Sequence, residues 1–417
     1  MRPVLNKALQ EGRKLWRLIP ADARRALFAM AQNSGFSPAF PDLTAKASAD
    51  NITPGPIIIS GYFSDTRGVA QVARLAADAL RRAGFAVIEH DVTHILRPGA
   101  TLPEIAAPSG GIWVIYCNPP EARVVLDRHP ELAQAPLYRI GAWAWELQTA
   151  PADWIRYAAR FHEIWTLSAF QAAAFKTASV PVVAMPPCVP VQPPRIRSTP
   201  GALVFLHVSD LRSSADRKNP AGALDAYLQA FPEPSGTRLT MKISGANGDQ
   251  AAYQALKDRV GGRADIDFIE RHLTAAEMQA LLEEMDVLVS LHRAEGFGLP
   301  LAEAMAMGKA VVTTGWSGVL DFLSPPDNPQ LAPFTLVPVS DAAGLYTDGV
   351  WAEPDIAGAA AIMRRLRDEG GLRDRLGRAN REAVAALSDR WSRARLDALP
   401  FAPFTEDADG RQTLSRS

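Results

Sequence analysis

One stretch decides the fold of this chain: Val287-Leu288-Val289-Ser290-Leu291, followed by His292-Arg293-Ala294-Glu295-Gly296-Phe297-Gly298-Leu299-Pro300-Leu301-Ala302-Glu303. The apolar run predicts a buried strand, and the glycines after it let the backbone turn sharply and come close to a ligand. Pro300 suits the first turn of a helix, where a missing N–H costs nothing. The free N–H groups of that turn point into the crevice beyond the strand and can bind a polar or anionic ligand. The stretch therefore predicts a strand–turn–helix unit with a ligand at the turn.

Glu295 and Glu303 lie on either side of this turn. One carboxylate can accept hydrogen bonds from two neighbouring hydroxyl groups, so the pair suits a sugar better than a bare phosphate. The alternative is structural, because Glu303 can complement the helix macrodipole and Glu295 can be a solvated loop residue. Together with the glycines, the pair favours a ligand that is both sugar-like and phosphorylated.

Strands and helices alternate on both sides of this stretch. Before it, strands are predicted at 56–60, 85–88, 112–116, 139–144, 163–167 and 182–185. The segment 181–200 holds seven prolines in twenty residues and is interpreted as an interdomain linker. After it, strands are predicted at 203–208, 239–244, 266–269, 287–291, 310–314 and 335–339. The pattern predicts an α/β protein whose two Rossmann-like, doubly wound parallel-sheet domains, at 55–190 and 201–390, face a central cleft.

Composition narrows the class of protein. A chain of 417 residues is too long for one ordinary core, and 47% hydrophobic with 21% charged residues is typical of a soluble globular protein. A net charge of −1 gives no indication of nucleic-acid binding. The two cysteines, Cys117 and Cys188, have neither metal-ligand spacing nor a disulfide framework. With no signal-peptide pattern in the sequence, these features predict a cytoplasmic protein.

Both ends of the chain are expected to lie outside the two domains. Residues 1–50 are predicted to form a helical extension, and residues 1–20 combine several basic side chains with Trp16. Such a segment can make a peripheral contact with the inner face of the cytoplasmic membrane, or it can dock on the protein body through its apolar residues. Both interpretations stay open. Residues 400–417 are expected to form a polar tail.

A basic loop follows the first strand of the second domain, with the sequence Ser209-Asp210-Leu211-Arg212-Ser213-Ser214-Ala215-Asp216-Arg217-Lys218-Asn219-Pro220. When a diphosphate leaves a sugar, negative charge develops on the leaving oxygen, and fixed cations at a helix N-terminus stabilise that charge. Arg212 and Lys218, six residues apart, are the candidate cations, and Arg217 can share their role. A surface cluster of basic residues is the alternative.

The run Ser290-Leu291-His292-Arg293-Ala294-Glu295-Gly296-Phe297-Gly298-Leu299, extended to Glu303, resembles the E-x7-E motif of retaining GT-B glycosyltransferases of family 4, the glycosyl transferases group 1. The basic loop resembles the donor-phosphate loop of the same family. The resemblance implies that Arg212, Lys218 and Glu295 are catalytic. It also implies that Glu303 binds the ribose hydroxyls and that Glu295 contacts the transferred sugar. The full set of expected donor-side residues is Gly68, Arg212, Lys218, Glu295, Gly296, Phe297, Gly298, Leu299 and Glu303.

The acceptor is expected on the first domain, where the signals are weaker. Glu146 follows a predicted strand and can bind the acceptor or take its proton, or it can be an ion-paired or capping carboxylate. His292 precedes Glu295 and is either a cleft residue or a buried histidine with its hydrogen bonds satisfied. Five of nine tryptophans fall between 113 and 165, and three of the five are expected to be core.

The implied reaction is the retaining transfer of a hexose from a UDP- or GDP-sugar to a glycan or lipid-linked saccharide, in cell-surface polysaccharide synthesis. No cofactor is expected beyond the sugar nucleotide. No metal is expected either, because cations are present at the phosphate site and the Asp-x-Asp at Asp407 and Asp409 lies in the predicted tail. Two alternatives stay open: a sugar-phosphate synthase or phosphorylase on the same fold, and a non-catalytic sugar-nucleotide-binding partner of another transferase.

Overall fold

A computed structural model of the chain describes residues 51–65, 68–96, 103–193, 201–246, 250–407 and 409–411. The helical extension predicted at 1–50 and the membrane contact predicted at 1–20 lie outside these residues and stay predictions. No helix of the described part is both long and apolar enough to cross a membrane.

The first domain is built on a six-stranded parallel sheet with the strand order β2-β1-β3-β4-β5-β6. Its strands are β1 (Ile57–Gly61), β2 (Val87–Asp91), β3 (Ile112–Ile115), β4 (Tyr138–Trp143), β5 (Glu163–Thr166) and β6 (Val182–Ala184). Its helices are α1 (Gly68–Arg82), α2 (Pro119–Arg128), α3 (Pro130–Gln134), α4 (Ala152–Tyr157) and α5 (Ala169–Ala174). All four residues of β3 are buried, as expected for a parallel strand covered on both faces.

The second domain has a six-stranded parallel sheet with the order β12-β11-β10-β7-β8-β9. Its strands are β7 (Leu203–Asp210), β8 (Thr237–Ser244), β9 (Ile266–Ile269), β10 (Val287–Ser290), β11 (Ala310–Thr314) and β12 (Leu331–Ala332). Its helices are α6 (Ala215–Lys218), α7 (Pro220–Ala230), α8 (Gln250–Val260), α9 (Ala275–Glu284), α10 (Leu299–Ala306), α11 (Ile356–Asp368) and α12 (Gly370–Leu387). An antiparallel hairpin, β13 (Phe334–Pro338) with β14 (Val350–Pro354), is added to this domain. The prediction of two doubly wound parallel-sheet domains is confirmed.

The strand order of the second sheet determines where a ligand can bind. The chain runs outward from β7 through β8 to β9, then returns to β10 on the other side of β7. β7 and β10 are therefore neighbours, with Leu206 opposite Leu288, while their connections leave in opposite directions. A crevice opens at such a switch point, outside the carboxyl ends of the strands. The basic loop after β7 and the glutamate motif after β10 both lie there.

The linker between the two sheets is shorter than predicted. Val182–Ala184 forms β6, which pairs in parallel with β5, so the predicted linker at 181–200 overlaps the first sheet. Proline is compatible with an edge strand because the outer N–H groups of that strand have no ladder partner to lose. Only the residues after Ala184 are left to connect the two sheets.

The prediction of a polar tail at 400–417 is wrong for its first residues. Phe401 and Thr405 are fully buried, and Thr405 forms a bridge with Gly55 at the start of the first domain. Phe401 packs with Trp391 and Trp165 in the core of the first domain. The apolar residues of this segment form no periodic pattern, so composition alone suggested a tail. Residues 412–417 lie outside the described part of the chain.

Candidate active site

The basic loop after β7 is held rigidly at the switch point. Ser214 has a φ of 70° and caps α6, with its hydroxyl accepting a hydrogen bond from the Arg217 amide at 3.0 Å. Asn219, also left-handed, caps α7 and accepts from the Gly222 amide. The side-chain amide of Asn219 donates to the Leu291 carbonyl at 2.9 Å. This last bond ties the loop after β7 to the end of β10, so the loop and the glutamate motif are positioned as one unit.

Lys218, Arg217 and Glu295 meet in this unit. The Nζ atom of Lys218 lies 2.5 Å from Oε1 of Glu295, and Nη1 of Arg217 lies 3.4 Å from Oε2. The Arg217 guanidinium is buried and also donates to the Ala294 carbonyl at 2.8 Å. Burial by itself raises the pKa of Glu295, but Lys218 and Arg217 outweigh burial and hold that pKa well below its usual range. Glu295 is therefore ionised between two cations.

Glu303 is in a different environment on α10. Its side chain is half-buried, and no side-chain hydrogen bond or ion pair to its carboxylate is found among the described residues. Burial raises the pKa of Glu303 to about 7. A carboxyl group that is desolvated and lacks a hydrogen-bond donor can accept hydrogen bonds from ligand hydroxyl groups.

The two glycines of the motif differ in backbone conformation and in what lies close to them. Gly298 has a φ of 90° and precedes α10, as a left-handed turn residue should. Gly296 has no positive φ, but a Cβ there would lie 1.9 Å from Nε2 of Gln171 in the first domain. Its carbonyl also accepts a hydrogen bond from Ser168 at 2.6 Å. Gly296 therefore lies in a bend of the motif, as predicted, and the first domain approaches its backbone closely.

The remaining motif residues lie as follows. The Phe297 side chain is buried against Phe322, with ring centroids 5.0 Å apart, so only its backbone can face a ligand. Leu299 begins α10, and its amide belongs to the first turn of that helix. Gly68 begins α1 in the first domain, and a Cβ there would meet no atom within 4 Å. A need for close backbone approach at Gly68 is therefore not visible in this conformation.

Arg212 and Lys218 have different partners in this conformation. Its guanidinium pairs with Asp210 at 2.7 Å, and its side chain is 58% exposed. Hydrogen bonding to Asp210 raises the pKa of Arg212, and Asp65, from the turn after β1, contributes in the same direction. Arg212 thus faces the first domain across the cleft, while Lys218 faces Glu295.

Two acceptor-side candidates lie at the same cleft. Glu146 of the first domain accepts a hydrogen bond from the Tyr346 hydroxyl at 2.7 Å and lies 3.9 Å from Nη2 of Arg217. His292 is fully buried, and neither ring nitrogen has a hydrogen-bond partner among the described residues. Burial lowers the pKa of His292 to about 4, so the ring is neutral at pH 7. Glu146 is therefore an ion-paired carboxylate, which is one of the two predicted alternatives. Its partners, Tyr346 and Arg217, are cleft residues of the second domain.

Three of the five tryptophans are core, as predicted. Trp113, Trp143 and Trp165 are buried, whereas Trp145 and Trp154 are half-buried, with their ring centroids 5.1 Å apart. Trp145 precedes Glu146 in the chain and packs on Tyr346, whereas Trp154 packs on Phe175 of the first domain.

Several buried polar atoms at this edge lack a hydrogen-bond partner among the described residues. They are the ring nitrogens of His292, Nε2 of Gln171, Nε2 of His207, Oγ of Ser209 and Nε of Arg217. Most buried polar groups in proteins are paired, so these atoms can bind a ligand or water. Their position at the switch point marks this edge as the candidate active site.

Sequence reasoning missed Tyr346, Gln171 and Ser168. Tyr346 belongs to a loop rich in Gly and Asp, and Gln171 lies on a short alanine-rich helix, so neither carries a local signal. Arg217 was identified only as a cation that could share the role of its neighbours, and the structure places it against Glu295, the Ala294 carbonyl and the Tyr346 ring. No group of three or more metal-ligating side chains occurs in the described ranges.

The site can now be compared with known proteins. Residues 204–347 match the family model described as glycosyl transferases group 1. The glycogen synthase of Mycobacterium tuberculosis is 28% identical over 194 residues, which cover 46% of this chain and 41% of that protein. The match therefore spans less than half the length of the curated relative.

Solved structures resemble the chain over most of its length. The Anabaena protein HepE, in complex with UDP and glucose, has a TM-score of 0.55 at 14% identity, covering 81% of this chain and 96% of that one. Sucrose-phosphate synthase of Thermosynechococcus elongatus has a TM-score of 0.57 at 14% identity, covering 80% and 94%. WaaG, a glycosyltransferase involved in lipopolysaccharide biosynthesis, has 0.52 at 15% identity, covering 80% and 98%. At these identities the likeness is one of fold, and the chain has the two-domain GT-B fold.

Proposed function

We propose that this chain is a glycosyltransferase of family 4 that transfers a hexose from a UDP- or GDP-sugar to a saccharide acceptor, with retention of anomeric configuration. The observation that carries the proposal is the meeting of Lys218 and Arg217 with Glu295 at the switch point. The match of residues 204–347 to glycosyl transferases group 1 covers this same region.

The cations serve the leaving group. A nucleoside diphosphate brings at least two negative charges to the loop after β7, and these compete with Glu295 for Lys218. As the glycosidic bond breaks, charge grows on the leaving phosphate oxygen, so the ammonium group stabilises the transition state more than the ground state. Arg217 stays with Glu295, because its guanidinium is fixed by the Ala294 and Ser213 carbonyls.

The two glutamates serve the two sugars of the donor. Glu295, released from Lys218, accepts hydrogen bonds from hydroxyl groups of the transferred hexose. Glu303, without a partner in the described chain, accepts those of the ribose. Deprotonation of Glu303 on binding is favoured because two hydroxyl donors replace the solvation lost by burial.

The acceptor approaches from the first domain, where Glu146 and Trp145 border the cleft beside Tyr346. In a front-face reaction the departing phosphate oxygen helps to remove the acceptor proton, and no metal is required because Lys218 and Arg212 balance the charge. The acceptor class that we propose is a glycan or lipid-linked saccharide of cell-surface polysaccharide synthesis, handled on the cytoplasmic side of the membrane.

The direct test is calorimetric titration of the purified chain with UDP, GDP, ADP and inorganic phosphate, followed by incubation with single sugar nucleotides without acceptor. We expect one nucleoside diphosphate to bind, its sugar to be released slowly to water, and Lys218→Ala to slow this release by on the order of 10²–10³. Chain that binds none of the nucleotides would contradict the proposal. Turnover that depends on free phosphate would indicate a phosphorylase, and binding without any turnover would indicate a non-catalytic partner.

A further inference from the structure

A loop between β13 and β14, residues 339–349, is organised around one buried carboxylate. We call it the hairpin loop. Asp341 is 2% exposed, and its oxygens accept hydrogen bonds from the amides of Leu345 at 2.7 Å, Tyr346 at 3.1 Å and Ala343 at 3.3 Å. A carboxylate that satisfies several backbone amides fixes the conformation of the loop, because each unpaired amide would be costly.

The hairpin loop is fastened to the basic loop after β7. The Ser214 hydroxyl donates to Asp341 at 2.7 Å while it accepts from the Arg217 amide. A second bond joins the two loops, from the Ala342 amide to the Asp216 carboxylate at 2.7 Å. Two hydrogen bonds therefore join the two loops.

The same loop reaches across the cleft to the first domain. The Tyr346 hydroxyl donates to Oε2 of Glu146 at 2.7 Å, and its ring lies 5.8 Å from the Arg217 guanidinium and 5.5 Å from the Trp145 ring. Tyr346 is 8% exposed, so this bond is shielded from solvent. Among the described residues, Tyr346 is the one hydroxyl bonded to the acceptor-side carboxylate.

We propose that Tyr346 is a positioning residue for Glu146, and that the hairpin loop couples the donor loop to the acceptor side of the cleft through Ser214 and Asp341. The proposal rests on the proposed function. It follows from the chain of contacts: an ordered donor loop orders Asp341, Asp341 orients Tyr346, and Tyr346 holds one oxygen of Glu146. The other oxygen of Glu146 is left toward Arg217 and the cleft. The bonds through Ser214, Asp341 and Tyr346 therefore fix the carboxylate that orients the incoming acceptor oxygen.

The test uses Tyr346→Phe, which keeps the ring over Arg217 and removes only the hydroxyl. Tyr227→Phe is the matched control, because the Tyr227 hydroxyl is also buried and bonded to side chains, Thr237 and Asp265, but within the second domain. UDP and GDP binding is measured by calorimetry, and hydrolysis of UDP-glucose and GDP-mannose is measured with water as the acceptor. For Tyr346→Phe we expect nucleotide Kd within twofold of wild type, donor KM unchanged, and kcat lower by roughly tenfold to a hundredfold, as for a lost hydrogen bond to a charged group. Tyr227→Phe should leave kcat unchanged.

A double-mutant cycle with Glu146→Gln separates positioning from a general structural effect. Because the hydroxyl acts through Glu146, the double variant should be no slower than Glu146→Gln alone. Additive losses, or a Tyr346→Phe enzyme with wild-type kcat, would overturn the inference while leaving the proposed function intact. Wild-type chain that neither binds nor hydrolyses a sugar nucleotide would overturn the proposed function, and the positioning role with it.

Discussion

The turn after β10 and the helix that follows it each carry one glutamate of the motif, and the surroundings of the two carboxyl groups shift their pKa values in opposite directions. Glu295, on the turn, lies between Lys218 and Arg217, and its pKa is held low. Glu303, about one turn into α10, is without a partner in the described chain, and burial raises its pKa to about 7. The spacing of a motif identifies its residues, whereas the charges around each residue decide its role.

The difference has a structural cause. Glu295 precedes the helix and points back toward the basic loop, which Asn219 ties to the end of β10. Glu303 lies on the helix itself, between Leu301 and Met305 in sequence, which pack on the second sheet. One glutamate is therefore preorganised for charge, and the other for hydroxyl groups. The following predictions test this contrast, from the largest expected effect to the smallest.

Removing Lys218, the lysine that pairs with Glu295, should have the largest effect. Lys218→Ala should lower turnover by on the order of 10²–10³, because one fixed donor to the leaving diphosphate is lost. Single-turnover kinetics with saturating donor measures it, and Lys176→Ala, which changes an exposed lysine of the first domain, is the control. Turnover within threefold of wild type would show that Lys218 only neutralises Glu295.

Replacing each glutamate by glutamine should separate their ligands. Glu303→Gln should weaken the free nucleoside diphosphate, while Glu295→Gln should weaken the intact donor far more than the free nucleotide. Each loss is expected at about 1.5–3 kcal/mol, the range for hydrogen bonds to a charged group. Calorimetry with both ligands and both variants decides it, and equal losses throughout would leave the two glutamates without distinct roles.

The raised pKa of Glu303 predicts pH-dependent binding with a definite sign. Hydroxyl donors favour the carboxylate, so binding releases a proton, and affinity should rise with pH through about 7 and level off above. The expected gain in nucleotide affinity between pH 6 and pH 8 is about tenfold. Glu303→Gln is the control, since it retains the ionisation of the nucleotide but loses that of the protein. A wild-type pH profile identical to that of the variant would mean that Glu303 does not titrate in the free chain.

Arg212 should matter less than Lys218. Its side chain is 58% exposed and already paired with Asp210, and exposed ion pairs are typically worth about 0.2–1 kcal/mol. Arg212→Ala is therefore expected to lower turnover at most about tenfold, under the same conditions as for Lys218→Ala. A loss as large as that of Lys218→Ala would show that Arg212 leaves Asp210 and closes on the diphosphate when the donor binds.

The smallest effect should come from removing metals. Turnover should survive exhaustive chelation, because the charge at the turn is balanced by side chains. If chelation abolished activity and only manganese or magnesium restored it, a metal ion, and not Lys218, would be the principal cation at the donor site.

Much of this arrangement could be predicted from local sequence signals. The strand before Glu295, the glycine turn at Gly298 and the burial of three of the five tryptophans follow from short-range pattern, and the structure has them as expected. Gln171 against Gly296 and Tyr346 against Glu146 could not be predicted, because each contact joins residues more than a hundred positions apart. The burial of Phe401 was missed for the same reason, since nothing near it in the sequence indicates a partner.

The return of the chain to the first domain affects how the protein is made. Trp391 and Phe401 complete the face of the first sheet around Trp165, and the indole of Trp391 donates to the Pro186 carbonyl at 2.7 Å. During synthesis the ribosome releases residues 55–190 long before these two aromatic side chains exist. The nascent first domain therefore exposes an apolar face that chaperones can bind, and this face is covered only after the second domain has been synthesised.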